Sequence, residues 1–365
     1  MKNKVLIIIL AVFSVISIVF VFNNYAMYDE TIAGITDIEN IVEESNNTAG
    51  EIHYTQNIDA VIMNGPYKGN EVSFVNHTSS SGVFSEQLDE HSEVFVELSE
   101  DGREVVSLLN VKRDKYLVIL LVIFIDTLLL IAKKRGFIIL LSLLASLAIT
   151  AVSVFLYDSF YDSINIVALY SGIAVAFIVV TLLMTNGRGA KTNAAILSSV
   201  ISLFATFGIA FLVITLFGEG APYWTMDYID AIYDSRNYIF VGVLLCGLGA
   251  IMDVSITMSS SINELVTRDP DISRRRLIRS GQEIARDIKG TMVNVMLYTM
   301  YVSIIPTVLL AIKNGAQLFD AISFYGYIEL VLVLVSCIGI VLTIPVSLKV
   351  SVYLLHDRRK GGADL

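Results

Sequence analysis

Residues 116–132 read YLVILLVIFIDTLLLIA, and residues 137–157 read FIILLSLLASLAITAVSVFLY. Asp126 is the only charged residue in these two runs. About 20 apolar residues in a helix, each rising about 1.5 Å, cross the roughly 30 Å hydrocarbon core of a bilayer. The two runs therefore predict two membrane-spanning helices joined by the short basic connection Lys133-Lys134-Arg135.

Further apolar runs lie on both sides of this pair. Of the 365 residues, 55% are hydrophobic and 16% are charged, and the mean hydropathy is +0.69, a composition that excludes a soluble enzyme. We therefore predict an all-α polytopic membrane protein with about eight transmembrane helices. The predicted spans are Val5–Phe22, Tyr116–Ala132, Phe137–Tyr157, Ile164–Thr185, Ala194–Phe217, Tyr238–Ile262, Thr291–Ile312 and Phe324–Leu355.

The first and last of these runs leave alternatives open. Lys2 and Lys4 precede the first run as they would in a signal peptide, but its length and the poor cleavage site Asn24-Tyr25-Ala26 favour an uncleaved anchor. The last run is too long for one straight span. Pro345 and Lys349 predict a kink and an exit from the hydrocarbon near its end.

Positive charges predict the orientation of the chain. Alternate connections and both ends carry 17 Lys and Arg, seven of them between Arg268 and Lys289, whereas the short opposite loops carry only Arg236 and Lys313. Because short cytoplasmic loops retain basic residues, we expect both termini to lie in the cytoplasm of a multi-pass cell-membrane protein. The loop Gly218–Asn237 and the segment Asn23–Asp114 are then outside.

The segment from Asn23 to Lys115 differs sharply from the rest of the chain. It holds 18 Asp and Glu against five Lys and Arg, so nucleic acid is disfavoured as a partner. Four short runs alternate like strands, and Asp101-Gly102 and Asn64-Gly65-Pro66 are typical of turns. They predict a small extracytoplasmic antiparallel β module, OB-like or SH3-like, between the first two helices. The predicted strands are Ile58–Met63, Val72–Val75, Val94–Leu98 and Glu104–Val111.

The chain thus divides into five predicted parts. Residues 1–23 are an N-terminal membrane anchor, 24–55 a polar linker and 56–113 the β module. Residues 116–355 are a seven-helix membrane domain with a basic cytoplasmic loop at 263–289, and residues 356–365 are a cytoplasmic tail.

Cysteine and histidine predict no metal site, and no residue pattern calls for a cofactor. Cys246 and Cys337 lie inside predicted spans without zinc spacing, and His53, His77 and His91 are irregularly placed in the β module. We therefore expect neither a metal nor a cofactor.

Carboxyl groups at membrane depth are the most informative residues. Asp126 and Asp253 lie near the middle of the second and sixth predicted spans, where an unpaired carboxylate costs several kcal/mol, and Glu329 is shallower. Asp253 belongs to a helical stripe of small and polar residues with Gly242, Cys246, Gly249, Thr257 and Ser260. Tight helix packing explains the small residues but not the carboxyl group, which we interpret as a proton, cation or substrate site; a neutral structural carboxyl is the alternative.

Asn294 on the seventh span is a second polar candidate. It lies on a stripe with Gly290, Tyr298 and Tyr301, and an amide in lipid needs a hydrogen-bond partner. We predict that it pairs with Asp253, because the two spans are antiparallel and the residues have similar depth.

The cytoplasmic segment before this span predicts a basic amphipathic helix. Two interpretations stay open: a topology determinant on anionic lipid headgroups, or a gating or partner-docking helix. The interface or gating candidates are Arg279, Gly281, Arg286 and Asp287, and Gly281 permits a bend.

Several of these motifs resemble the YibE/YibF family of bacterial multi-pass membrane proteins. They are Gly249-Ala250-Ile251-Met252-Asp253-Val254, Ser280-Gly281, Arg286-Asp287 and Gly290-Thr291-Met292-x-Asn294, and the turn Gly65-Pro66-Tyr67-Lys68-Gly69 resembles the β module found before that membrane region. The resemblance covers about Tyr116 to the C-terminus. It implies a bacterial, Gram-positive cell-membrane protein but no reaction, and the polar stretch Ser255–Ser261 departs from the family pattern.

These residues favour some classes of function over others. A permease or transport component using the intramembrane Asp253 fits the deep carboxyl groups and polar stripes, although no inverted repeat is visible. A non-transporting membrane partner or sensor, whose acidic β module binds a cell-envelope ligand or protein, is the alternative. An enzyme is not expected, because no acid–base constellation is present. Expected partners are the lipid bilayer, an unidentified small solute or ion, and a homologous or companion membrane subunit.

Overall fold

The computed structural model describes residues 2–43, 52–80, 86–99, 102, 104–160, 164–217 and 236–357. The chain forms two compact units, Met1–Gly136 and Phe137–Leu365, which are described separately below.

The first unit consists of two apolar helices and a β domain between them. Helix α1 (Lys2–Val21) leads through a 3-10 turn at Asn24–Met27 into the strands β1 (Thr31–Glu43), β2 (His53–Ile62), β3 (Glu71–Ser79), β4 (Glu93–Leu98) and β5 (Val105–Val111). Helix α2 (Asp114–Ala132) begins three residues after β5 and packs along α1.

The five strands form an antiparallel near-barrel in the order β3-β2-β1-β4-β5. β1 pairs with both β2 and β4, which is a Greek-key arrangement. Alternate side chains of β3 point inward, and the barrel interior is filled by branched aliphatic residues that include Ile35, Ile58, Ile62 and Val94. In the predicted turns, Gly65 and Gly102 have φ of +73° and +68°, a region that favours glycine, while Asp101 lies outside the described residues.

The structure differs from the sequence prediction at β1. This strand occupies much of the segment 24–55, for which we predicted a polar linker. The apolar alternation in Thr31–Glu43 is interrupted because the pairing with β2 shifts between Ile35 and Asp37. An irregularity of this kind inserts a residue and reverses the inward and outward positions, so a strict period of two is lost.

The second unit is a bundle of helices. These are α3 (Lys134–Phe160), α4 (Ile166–Asn186), α5 (Ala190–Phe217), α6 (Arg236–Cys246), α7 (Leu248–Arg268), α8 (Arg274–Lys313) and α9 (Leu318–Val352), followed by a π-helical turn at Tyr353–Asp357. The centre of the bundle is formed by α5, α7 and α9, with α8 against α7 and α9.

Seven stretches within the described residues are long and apolar enough to cross a membrane. They correspond to the second to eighth predicted spans, with α6 and α7 together forming one span, Asn237–Arg268. The apolar part of α1, Ile7–Val21, is shorter than these seven, so the eighth crossing stays a prediction. At the other end, α9 continues through Pro345 to Val352 as a helix, and the exit from the hydrocarbon near Pro345 stays a prediction.

Candidate functional site

The sixth span is broken where the sequence predicted one continuous helix. α6 ends at Cys246 and α7 begins at Leu248, and the backbone of Ser336 in α9 approaches the intervening Gly247. A Cβ atom added to Gly247 would lie 3.4 Å from Ser336 Cα, so the close approach favours glycine. Beside the break, Ser336 Oγ donates to Cys246 Sγ at 3.1 Å.

Asp253 lies midway along this span, on the side of α7 that faces away from the bundle. The opposite side is buried and carries Ile251, Val254 and Met258. Asp253 and Thr257 are exposed and Ser260 is half-buried, so the predicted stripe exists as an outward face. Within the part of the chain that the structure describes, Asp253 makes no hydrogen bond or ion pair.

Asn294 lies on the exposed side of α8, and no hydrogen bond joins it to Asp253. The predicted pairing is therefore not formed within one chain. Instead, Asn294 borders an open groove of about 580 Å³ along α8. The residues lining this groove are Asp287, Gly290, Thr291, Asn294, Val295, Tyr298 and Thr299.

Asp126 is the one deep carboxyl group that contacts another helix. Ser14 Oγ in α1 lies 2.6 Å from Asp126 Oδ2 and 2.7 Å from the Leu10 carbonyl oxygen. The other carboxyl oxygen, Oδ1, is buried and has no hydrogen-bond partner among the described residues. Asp126 therefore joins α1 to α2 and belongs to a different unit from Asp253.

The basic amphipathic segment forms the first turns of α8, continuous with the seventh span. Its apolar face is covered by protein, because Leu277 is fully buried in a cluster with Ile262 of α7 and Leu348 of α9. Gly281 is buried directly beneath Leu348, so this glycine permits close helix packing inside an unbroken helix. Arg279, Arg286 and Asp287 are exposed on the other faces, and Arg279 lies 3.7 Å from Glu283.

A set of hydroxyl groups in the centre of the second unit was not predicted from the sequence. They are fully or almost fully buried, and four of them, on Thr192, Ser199, Ser202 and Ser255, have no hydrogen-bond partner in the described segments. The four-residue spacing on α5 is visible in the sequence and could have indicated them. The buried hydroxyl residues of the three central helices are Thr192, Ser198, Ser199, Ser202, Thr206, Ser255, Ser259, Ser336, Thr343, Ser347 and Ser351.

A buried ionic cluster at the base of the near-barrel was also missed. The side chain of Lys112 is 1% exposed and its ammonium group lies 2.8 Å from Asp114 and 3.3 Å from Glu93. The same group lies over the rings of Tyr25 and Tyr28, at 5.4 and 5.6 Å from their centroids.

The surroundings raise the pKa of two tyrosines in this cluster. Burial, a hydrogen bond donated to Glu93 and the Glu93 charge raise the pKa of Tyr25 to about 12. Burial and the hydrogen bond donated to Asp114 at 2.8 Å likewise raise the pKa of Tyr28. Beside the cluster lies a pocket of about 210 Å³ whose lining includes His91 and Lys115.

No group of three or more His, Cys, Asp or Glu within the described ranges could hold a metal ion. The polar features of the chain are therefore single carboxyl groups, hydroxyl groups and one ionic cluster. They suit hydrogen bonding, proton exchange or weak coordination of a solute.

Comparison with known proteins identifies the family. A model described as YibE/F-like protein matches residues 120–357, and one described as the YibE/F family N-terminal domain matches residues 26–111. No curated protein and no solved structure matches the chain. The two matches cover both the membrane helices and the near-barrel, and the first alone covers more than half of the chain, which therefore belongs to the YibE/F-like family.

Proposed function

We propose that this protein is a permease or a transport component of the cell membrane, in which the Asp253 carboxyl group exchanges a proton or binds a cation or solute. The observation that carries the proposal is the position of Asp253, midway along a membrane span on a face with Thr257 and Ser260. A carboxyl group at this depth costs several kcal/mol if it faces hydrocarbon. Such residues therefore mark a path for ions or solutes more often than they serve packing.

The break between α6 and α7 supports the same proposal. Transporter sites commonly lie near discontinuous spans, where interrupted helices leave backbone groups free to contact a solute. Asp253 follows Gly247 by six residues, which is less than two turns of helix. The buried, unpartnered hydroxyl groups of Ser202 and Ser255 provide further polar atoms inside the bundle.

The proposed orientation places both termini in the cytoplasm and the near-barrel outside. The exposed arginines at the start of α8 then lie at the cytoplasmic membrane surface, where basic residues are retained. The sequence has no phosphate-binding loop for ATP, so we propose ion-coupled or passive movement, or energy from a separate subunit. We also expect no enzymatic activity, because the sequence shows no acid–base constellation.

A flux assay with a matched control tests the proposal. The intact protein is reconstituted in liposomes, and uptake of ion and metabolite panels is followed with and without a proton gradient. Asp253→Asn is compared with Asp271→Asn, which changes an exposed carboxylate in the loop before α8. We expect Asp253→Asn to lower flux at least tenfold, while Asp271→Asn retains it. Full flux with Asp253→Asn, or no flux of any solute with the native protein, would contradict the proposal.

A sensing role is the second candidate, and the pocket beside Lys112 favours it. This pocket joins charged and apolar residues at the base of a five-stranded near-barrel, an architecture that binds oligosaccharides and other polymers in OB-type barrels. Thermal stabilisation of the full-length protein by soluble cell-wall fragments would support it. We expect that stabilisation to be lost with Lys115→Gln and kept with the exposed control Lys68→Gln.

A further inference from the structure

Two polar faces lie uncovered at membrane depth on neighbouring helices of the second unit. The α7 face consists of Gly249, Asp253, Thr257 and Ser260, and the α8 face consists of Thr291, Asn294, Tyr298 and Thr299. Tyr298 is 73% exposed. Elsewhere the exposed surface of α5 and α8 includes aliphatic residues such as Leu212, Val213 and Leu309, which suit contact with lipid.

These faces are unfavourable in contact with hydrocarbon. A carboxyl group and a side-chain amide without hydrogen-bond partners are both costly in lipid, and neither has a partner in its own chain within the described residues. Lipid tails offer no donor or acceptor to satisfy them. A polypeptide segment that covers the faces would supply these partners.

The two faces lie within about one helical turn of each other in depth. Gly281 of α8 lies against Ile262 of α7, which fixes a common level for both helices. Asp253 is nine residues from Ile262, and Asn294 is 13 residues from Gly281, which corresponds to about 14 Å and about 20 Å along the helices. The two side chains are thus separated in depth by about one helical turn.

The two faces are also chemically complementary. An ionised carboxylate only accepts hydrogen bonds, whereas the Asn294 amide offers two donor hydrogens, and a protonated carboxyl group can in addition donate to the amide oxygen. The open groove of about 580 Å³ along the α8 face is lined by residues of α8 alone. This side of α8 is therefore not enclosed by other helices of the described chain.

We propose that a second copy of this chain covers both faces, so that Asp253 of one protomer pairs with Asn294 of its partner. A two-fold axis along the membrane normal keeps every residue at its own depth and brings each α7 face against the α8 face of the other copy. In such an interface the same contact forms twice, which satisfies both faces with one chain type. The pairing predicted within one chain is thus made between two.

Cross-linking between two differently tagged copies tests this interface. Both copies carry Cys246→Ser and Cys337→Ser; one adds Thr257→Cys on the α7 face and the other adds Thr291→Cys on the α8 face. A flexible bismaleimide that reaches across one helical turn is applied in native membranes. As the control, the second copy carries Leu212→Cys, an exposed apolar position on α5, in place of Thr291→Cys.

We expect a cross-linked product containing both tags for Thr257→Cys with Thr291→Cys, and little with Leu212→Cys. Asp253→Leu should raise the dissociation constant of the dimer in lipid roughly tenfold, since two interhelical hydrogen bonds are lost. The exchange Asp253→Asn with Asn294→Asp should restore the dimer, because it keeps one acceptor and one donor on opposite faces. A monomer in nanodiscs, cross-links within one chain only, or equal yields with the control would overturn the proposal.

This inference does not rest on the proposed function, and the two fail differently. Cross-linking without any flux of solute by the native protein rejects transport and keeps the dimer. Flux that depends on Asp253 in a protein that remains monomeric rejects the dimer and keeps transport.

Discussion

At the scale of single residues, Lys112 shows how the base of the near-barrel is held together. Its ammonium group is almost completely buried between the carboxylates of Glu93 and Asp114, which belong to β4 and to the start of α2. Asp114 in turn accepts hydrogen bonds from Asn24 and Tyr28, in the segment that follows α1. One lysine therefore links the strand domain to the ends of both helices of the first unit.

Replacing Lys112 by Met is predicted to loosen this junction. The substitution removes the cation beside Asp114 and leaves Glu93 with Lys115 alone, and removing one partner of a buried ion pair costs about 3 kcal/mol or more. Hydrogen exchange of the β4 and β5 amides, measured by mass spectrometry on the full-length protein, should become roughly 100-fold faster.

Lys68→Met provides the control for Lys112→Met, because Lys68 is exposed in the turn after β2. A substitution there should change the free energy of unfolding by no more than about 0.5 kcal/mol. Equal protection of the β4 amides in both variants would show that the Lys112 ion pairs do not stabilise the junction.

At the scale of secondary-structure elements, the central helices of the bundle meet at Gly339 of α9. A Cβ atom added there would lie 3.2 Å from Ile251 of α7 and 3.2 Å from Thr206 of α5, which is tighter than most Cβ contacts. Glycine thus brings α9 close to two helices at once, and Ser259 and Ser351 form a further contact between α7 and α9 at 2.9 Å. Packing of this kind is typical of membrane helices, whose association depends on close contact of small residues.

Gly339→Leu is predicted to push the three helices apart. Overpacking of a tight contact costs about 1 to 3 kcal/mol, so thermal unfolding of the detergent-solubilised protein should occur at lower temperature. Gly208→Leu is the matched control, since Gly208 lies in α5 with no atom within 4 Å of an added Cβ. Both substitutions raise helix propensity, so only the contact distinguishes them. A Gly339→Leu variant as stable as Gly208→Leu would contradict the close packing.

The sequence could predict the elements whose signals are local, and it could not predict those that depend on contacts between distant residues. Long apolar runs required by the bilayer indicated α2 to α9, and turn glycines such as Gly65 and Gly102 located the hairpins. β1 was missed because its pairing shifts between Ile35 and Asp37, which breaks the alternation. Lys112 could not be assigned to the interior, because its burial depends on Glu93 in another strand and on the rings of Tyr25 and Tyr28 before the barrel.

Which side of each membrane helix faces the bundle was harder to predict from the sequence than the position of the helices. In water, the apolar side of a helix is its buried side, but lipid is as apolar as the bundle interior, so composition alone does not separate the two. Ser255 is fully buried whereas the nearby Asp253 is exposed, so polar residues of α7 lie on both sides of the helix. The sequence therefore indicated the stripe around Asp253 but not whether it faced its own bundle.

At the scale of the whole molecule, the number of membrane crossings decides where the two ends lie. Seven candidate spans follow the near-barrel, and α1 precedes it. If α1 also crosses, the even number places both termini on one side, and the basic connections predict that this side is the cytoplasm. If α1 does not cross, the N-terminus stays on the side of the near-barrel.

Cysteine labelling with a membrane-impermeant maleimide is predicted to show the eight-crossing arrangement. Single cysteines are placed at Asn3, Lys68 and Arg279 in a background with Cys246→Ser and Cys337→Ser. In intact cells, Lys68→Cys should be labelled, because the basic connections predict that the β domain lies outside the cell. Asn3→Cys and Arg279→Cys should be labelled only after the membrane is permeabilised.

External labelling of Asn3→Cys would show that α1 does not cross, and a shortened product without label would show that α1 is cleaved. External labelling of Arg279→Cys together with protection of Lys68→Cys would reverse the orientation of the whole protein, and with it the placement of the arginine-rich start of α8.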